Sequence, residues 1–246
     1  MYDRPCREFC NNYRCDPTRC FGPLPDNAVP DRRRGAVLAF PDDQGEPQCR
    51  LVLERAPNVR PPVGYRGGQG HPTAAWLMCN PSRASHLIDD PTAGRVMHHS
   101  LRAGRPRSLV GNVWPWRTPY PRDLWPAIAD GRITDAMMEA NLDALCMIAA
   151  QADLHIVAFG AAPMRGHPLA VRRALEVFSN YGEHALYCLG TTGDGQPLHP
   201  LARGKYAVRN DAQLRPWTNW RWGPNERSWD DVFSDKVRCA AGWVDR

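Results

Sequence analysis

The stretch "WLMCNPSRASHLIDDPT" (Trp76–Thr92) changes character twice. Its apolar run ends at Asn80-Pro81-Ser82, and a second polar group, Asp89-Asp90-Pro91-Thr92, precedes the next segment. A short apolar run closed by Asn-Pro is typical of a buried strand that ends in a turn. Aspartate is a favoured residue at the start of a helix. The stretch therefore predicts a strand, a polar loop and a helix in succession.

The same alternation of strand and helix continues along the chain. Apolar runs predict four strands, at Thr73–Cys79, Ser108–Trp114, Leu154–Gly160 and His184–Gly190. Helical spacing between them predicts helices over Pro91–Ala103, after a cap at Thr134, and over His167–Ser179. Continuous apolar strands separated by helices indicate a parallel sheet that is covered on both faces. We expect an α/β fold, a three-layer α/β/α sandwich around a four-stranded parallel sheet.

The segment before the first of these strands divides into three parts. Residues 1–34 form a Cys-, Pro- and Arg-rich extension, and residues 35–246 are expected to form the α/β domain. Ala36–Phe40 and Cys49–Arg55 resemble a β-hairpin around the turn-forming "PDDQGEPQ". Ala56–Pro72, dense in Pro and Gly, is predicted to be a loop.

Composition narrows the class of protein. The chain has 246 residues, of which 43% are hydrophobic and 23% charged, as expected for a globular protein. No apolar run approaches the ~18 residues of a membrane span, and the first residues lack the apolar core of a signal peptide, so we expect a cytoplasmic location. The net charge of +5 comes almost wholly from arginine, which suits contacts with phosphate.

Four of the nine cysteines lie close together near the N-terminus, at Cys6, Cys10, Cys15 and Cys20. Clustered thiols in a reducing compartment indicate metal ligands rather than disulfides. The spacing C-x3-C-x4-C-x4-C differs from the paired C-x2-C of zinc ribbons. We expect these four thiolates to bind zinc, with a 4Fe-4S cluster as the alternative.

Polar residues follow several of the predicted parallel strands, at the edge where ligands bind in open α/β sheets. Asn80 ends the first strand, and Asn112 lies near the end of the second. The third ends in Gly160, and the loop after the fourth leads to His199-Pro200. We therefore expect Asn80, Asn112 and His199 to converge on one pocket.

These motifs carry a resemblance to a known family. "NPSRA", "DDPT", "GNVWPWRTPYP", "VAFGA" and "CLGTTGDGQPLHPL" occur in that order between Trp76 and Leu201. In this order they resemble the bacterial and phage family catalogued as domain of unknown function 1643. The family name by itself implies no activity.

A more distant similarity is to the uracil-DNA glycosylase superfamily. It implies that Asn80 handles the attacking water, that Asn112 reads the base edge, and that His199-Pro200 supports the departing base and reaches the minor groove. Phe159-Gly160-Ala161 matches the ending of the third strand. Two departures are visible: Ser82 stands where a glycine is usual, and "HPLARG" lacks the usual serine after His-Pro.

The residue types also suit glycosidic-bond cleavage on chemical grounds. The oxocarbenium-like transition state needs an anion or an oriented water beside the sugar and a donor for the leaving base. Asp89 or Asp90 can supply the first, although either can instead cap the following helix, and for Asp89 capping is the favoured interpretation. His199 can supply the donor, and the amide of Asn112 offers the donor and acceptor that recognition of a pyrimidine requires.

The remaining candidates concern stacking and phosphate binding. Trp114 and Trp116 are expected to wall the base pocket, although tryptophans are more often core residues. Four cations follow the motifs and are expected to hold DNA: Arg83, Arg117, Arg203 and Lys205.

The leading hypothesis is a DNA glycosylase, or an enzyme derived from one, that excises a modified or deaminated pyrimidine after base flipping. Asn80, Asp90 and His199 are its expected catalytic residues. A non-hydrolytic enzyme of DNA base modification and a modified-base binding module are the alternatives. DNA is the expected partner, and the oligomeric state stays open.

Overall fold

The computed structural model describes residues 34–56, 72–161, 163, 167–180 and 182–218. These residues form a mixed α/β fold built on a sheet whose strands lie in the order β1-β2-β4-β3-β5-β6-β7. The strands are β1 (Arg34–Pro41), β2 (Pro47–Arg55), β3 (Thr73–Met78), β4 (Arg107–Asn112), β5 (Leu154–Val157), β6 (Leu186–Cys188) and β7 (Arg215–Pro216).

Four α-helices lie in the described part of the chain: α1 (Pro91–Arg102), α2 (Pro121–Ala129), α3 (Asp135–Ala150) and α4 (Pro168–Phe178). A single 3-10 turn follows at Gly204–Tyr206. The cap predicted at Thr134 is confirmed, because its side chain accepts a hydrogen bond from the backbone of Met137. Helix α2 and strand β7 were not predicted from the sequence.

We expected a four-stranded parallel sheet, but the described residues form a seven-stranded mixed sheet. The four predicted strands pair in parallel, with β3 between β4 and β5 and with β6 beside β5. The β1–β2 hairpin was predicted correctly, but it also joins the sheet, since β2 runs antiparallel to β4. Strand β7 pairs antiparallel with β6 at the other edge. Periodicity shows that a strand exists but not which distant strand it joins, so these additions were missed.

The two faces of β3 contribute to two different apolar clusters. Ala75 and Leu77 pack in a cluster with residues of α2, α3 and α4. Ala74, Trp76 and Met78 alternate with them and pack in a cluster with residues of α1. Burial of all six residues of β3 explains why its sequence is continuously apolar.

Gly111 sets the close packing of α3 against β4. A Cβ atom at Gly111 would overlap the side-chain ends of Leu145 and Ile148, so a larger residue would force these side chains or the helix to shift. One turn earlier on α3, the side-chain nitrogen of Asn141 donates to the backbone oxygens of Asn112 and Val113, at 2.8 and 3.2 Å. These contacts fix the end of β4, where the functional site begins.

Among the described residues, no helix combines the length and apolarity that a membrane crossing requires. The expected extension of residues 1–34 lies outside the described residues except for Arg34, which begins β1.

Candidate active site

A cavity of about 240 Å³ lies between the first turns of α1 and the edge of the sheet where the parallel strands end. Its polar lining residues come from five parts of the chain: Arg50, Asn80, Ser82, Asp90, Thr92, Asn112, Thr118 and His199. Apolar side chains complete the walls, at Leu53, Met78, Val96, Val110 and Leu201. The structure thus brings Asn80, Asp90, Asn112 and His199 together in one cavity.

Asn112 is the last residue of β4 and lies opposite Met78 at the end of the neighbouring strand. It is fully buried, and neither its side-chain oxygen nor its side-chain nitrogen has a hydrogen-bond partner among the described residues. A buried amide without partners costs free energy, because it has given up its hydrogen bonds to water. Since Asn112 lines the cavity, a ligand there can supply the missing donor and acceptor.

Asp89 and Asp90 have different environments. Asp90 caps α1, because its Oδ1 accepts a hydrogen bond from the backbone nitrogen of Ala93 at 2.8 Å, and it also lines the cavity. Asp89 pairs with the buried Arg55 at 2.5 Å and is not among the described residues that line the cavity. The expectation that Asp89 caps the helix was therefore wrong, since Asp90 holds that position.

His199 lines the cavity from the loop after β6, with its Nδ1 accepting a hydrogen bond from the backbone nitrogen of Leu201 at 3.0 Å. Accepting at Nδ1 places the proton of a neutral imidazole on Nε2. Burial lowers the pKa of His199 to about 4, and the charge of Asp90 opposes that shift. The ring is neutral at pH 7 and can donate a hydrogen bond from Nε2.

The loop that carries His199 is attached to α1. Arg95 donates to the backbone oxygen of Val208 at 2.7 Å and bonds to Asn210 through its side chain. His98 bonds to the backbone oxygen of Asn210 at 2.9 Å. These contacts hold the loop over the cavity.

Asn80 follows β3 and is oriented by its amide nitrogen. That nitrogen donates to the backbone oxygens of Thr118 and Pro81, at 3.0 and 3.1 Å. The side-chain carbonyl of Asn80 is therefore the group that can accept a hydrogen bond from a molecule in the cavity.

Arg50 is a lining residue that the sequence reasoning missed. It lies in β2, is buried, and donates from Nη1 to the backbone oxygen of Ala84 at 2.8 Å. Its Nε has no partner in the part of the chain that the structure covers. The available signal was an arginine inside the apolar run "CRLVL", the same kind of signal that selected Asn112.

The two tryptophans lie away from this cavity. Trp114 is buried in the apolar cluster beneath α2 and α3, with ring contacts to Trp125 and His167. Trp116 lines a second cavity of about 380 Å³, whose other lining residues include Arg83 and Arg117. The two cavities share Ser82 and Pro119, so they adjoin.

Of the expected phosphate-binding cations, Arg83 and Lys205 are exposed. Arg203 is also exposed and precedes the 3-10 turn after the His-Pro loop. Arg117 is half-buried, and its Nη1 donates to the backbone oxygen of Pro47 at 2.9 Å. Arg83 and Arg117 thus lie together at the second cavity, and the other two lie on the loop after His199.

The expected metal ligands Cys6, Cys10, Cys15 and Cys20 lie outside the described residues. In the part of the chain that the structure covers, no group of three or more His, Cys, Asp or Glu side chains is arranged to hold a metal ion.

Comparison with known proteins adds one finding. Residues 65–201, more than half of the chain, match the family described as "Protein of unknown function (DUF1643)". The matched segment includes Asn80, Asp90, Asn112 and His199. No curated protein and no solved structure matches the chain.

Proposed function

We propose that this chain, which belongs to the DUF1643 family, is a cytoplasmic DNA glycosylase or an enzyme derived from one. Its substrate is a modified or deaminated pyrimidine that is flipped out of DNA into the 240 Å³ cavity. The observation that carries the proposal is Asn112, a fully buried amide in the cavity wall whose two polar atoms have no partner among the described residues. An amide in that state is suited to pair with the donor and acceptor edge of a pyrimidine.

The other polar residues of the cavity fit hydrolysis of the N-glycosidic bond. Asn80 and Asp90 accept hydrogen bonds from a water molecule, and Asp90 takes its proton as the oxygen attacks C1′ of the sugar. The bond between C1′ and the base nitrogen breaks, and its electron pair leaves with the base. The Nε2–H of neutral His199 donates to the base oxygen on which the negative charge develops.

The size and walls of the cavity support a small planar ligand. Its volume of about 240 Å³ lies below the ~300–1,000 Å³ of pockets for drug-sized ligands. Met78, Val110 and Leu201 supply apolar surface. A single base with its sugar at the opening suits these dimensions better than a larger metabolite.

The proposal extends to DNA contacts and to the fold. Arg83 and Arg117 would bind phosphate on one side of the extruded nucleotide, and Arg203 and Lys205 on the other. We also propose that the chain is distantly related to the uracil-DNA glycosylase superfamily and shares its three-layer sandwich. The order of the motifs along the chain supports it.

The test is incubation of the protein with oligonucleotides that contain single modified pyrimidines, followed by detection of abasic sites. Abasic product is expected for at least one base. An altered base on an intact backbone would instead indicate a base-modification enzyme, and retention without reaction a binding module. Either result would overturn hydrolysis.

Asp90→Asn and Asp89→Asn form a matched pair for this assay. Asparagine also caps helices, so Asp90→Asn is expected to keep the stability while lowering the rate by about 10²–10⁴-fold, as expected for loss of a general base. Asp89→Asn keeps an acceptor for the buried Arg55 but removes the opposite charge, so it is expected to lower the stability by about 1–3 kcal/mol and keep the rate. Equal rates for both variants would remove Asp90 from the mechanism.

A further inference from the structure

We infer that the ligand of the 240 Å³ cavity carries an anionic group, a carboxylate or a phosphate, and that Arg50 binds it. The inference rests on the proposed function only in taking this cavity as the place where the substrate binds. It concerns the chemistry of the ligand and not the reaction.

A comparison among three buried arginines of the described sheet leads to this inference: Arg50, Arg55 and Arg107. Arg55 pairs with Asp89, and Arg107 pairs with Glu54, both at 2.5 Å. Arg50 forms no ion pair in the described structure, and its single side-chain hydrogen bond goes to the backbone oxygen of Ala84. Buried charges in proteins are generally paired, because an unpaired one loses the solvation of water without replacement.

Asp90 is not an ion-pair partner of Arg50. Its charge acts on Arg50 through space, but no ion pair joins the two side chains, and Oδ1 of Asp90 is engaged by the backbone of α1. Burial lowers the pKa of Arg50 to about 9, against the opposing effect of Asp90. Arg50 is therefore still protonated at neutral pH, and its charge lies in the cavity wall with no carboxylate of the described residues bonded to it.

The guanidinium group determines what can bind there. It has five N–H donors and no acceptor, and its planar fork matches the two oxygens of a carboxylate or phosphate. Nε of Arg50 has no partner among the residues that the structure describes. A ligand that places an anionic group against Arg50 would satisfy that donor and the charge together, while Asn112 contacts a neutral edge of the same ligand.

Two sources can supply such an anion. One is an acidic substituent on the base itself, and the other is the phosphate of a nucleotide that enters the cavity. Isothermal titration calorimetry with two matched pairs of probes separates them. The first pair is 5-carboxyuracil and uracil, and the second is deoxyuridine 5′-monophosphate and deoxyuridine.

We expect the anionic member of one pair to bind at least about tenfold more tightly than its neutral partner, since charge-assisted hydrogen bonds are markedly stronger than neutral ones. Preference within the first pair identifies an acidic base, and preference within the second a nucleotide phosphate. If neither anionic probe binds more tightly than its neutral partner, the inference is overturned.

Arg50→Met removes the charge at similar length and should abolish the preference. Arg173→Met removes an exposed cation of α4 and should leave the preference intact. If Arg50→Met does not fold, the wild-type comparison alone decides. Excision of a base without any preference for the anionic probe would defeat this inference and leave the glycosylase proposal. A preference for the anionic probe without excision from any oligonucleotide would support this inference and overturn the glycosylase proposal.

Discussion

Replacing Asn112 with leucine should stabilise the ligand-free protein while abolishing its function. Both polar atoms of the side chain are buried without partners in the described structure, and burying such an amide costs about 1–3 kcal/mol. Leucine has a similar shape and no polar atoms, so the variant recovers most of that cost. A chain of this length gains about 2–4 °C in Tm per kcal/mol, so we expect a rise of at least ~2 °C. Thermal unfolding measures the gain, and the abasic-site assay measures the loss of excision.

Asn141→Leu is the matched control. Asn141 is equally buried and its side-chain oxygen also has no partner among the described residues, but its side-chain nitrogen donates to the backbone oxygens of Asn112 and Val113. Each of these hydrogen bonds contributes about 0.5–1.5 kcal/mol, so their removal should lower the Tm. The two substitutions therefore have opposite expected signs. If Asn112→Leu lowers the Tm as Asn141→Leu does, Asn112 has a structural role and the assignment of the cavity as a base-reading site fails.

Three further predictions concern pH, metal and salt. The free energy of unfolding should fall as the pH drops from about 6.5 to about 4. Burial lowers the pKa values of His99, His155 and His199 to about 4, so in this range the unfolded chain binds protons that the folded chain does not bind. Urea denaturation measures the free energy of unfolding across that range, and a value that does not change with pH contradicts the prediction. Elemental analysis should find one zinc ion per chain, and the zinc should be lost when Cys6 and Cys10 are replaced by serine. Broad visible absorption would indicate an iron–sulfur cluster instead. The absence of both metals in protein purified without chelators would contradict a metal site. The logarithm of the DNA affinity should fall linearly with the logarithm of the salt concentration. Replacing Arg203 and Lys205 with alanine should make that slope shallower by about 0.9 for each duplex phosphate that these side chains neutralise. An affinity that does not depend on salt would exclude DNA as the substrate.

Local sequence signals were sufficient for the elements that place the site. The apolar run before Asn80 forms β3, and the Asp-Pro that follows opens α1, as predicted. Because parallel strands end at the same sheet edge, the residues that follow each strand predict that Asn80, Asn112 and His199 share one cavity, and the three do line one cavity. This reasoning needs only the order of strands and helices along the chain.

The errors came from contacts between distant parts of the chain. Trp114 follows Asn112 by two residues, yet it lies in the core, where its ring packs against Trp125 and His167. Asp89 and Asp90 are both favoured as helix caps, and Pro91 was the local signal for Asp90, because proline is favoured at the first helical position. The partner of Asp89, Arg55, lies 34 residues away on β2. No local pattern predicts that ion pair.

The β1–β2 hairpin connects these observations to function. By pairing with β4, strand β2 lies at the edge of the parallel sheet, with Arg55 holding the loop before α1 and Arg50 at the cavity. The pairing fixes both arginines relative to Asn112, since Leu53 lies opposite Val110. The parallel strands alone would supply Asn80, Asn112 and His199, but their buried arginine, Arg107, does not line the cavity. The hairpin thus adds a charge to the cavity, and the matched anionic and neutral probes test whether this cation selects the ligand.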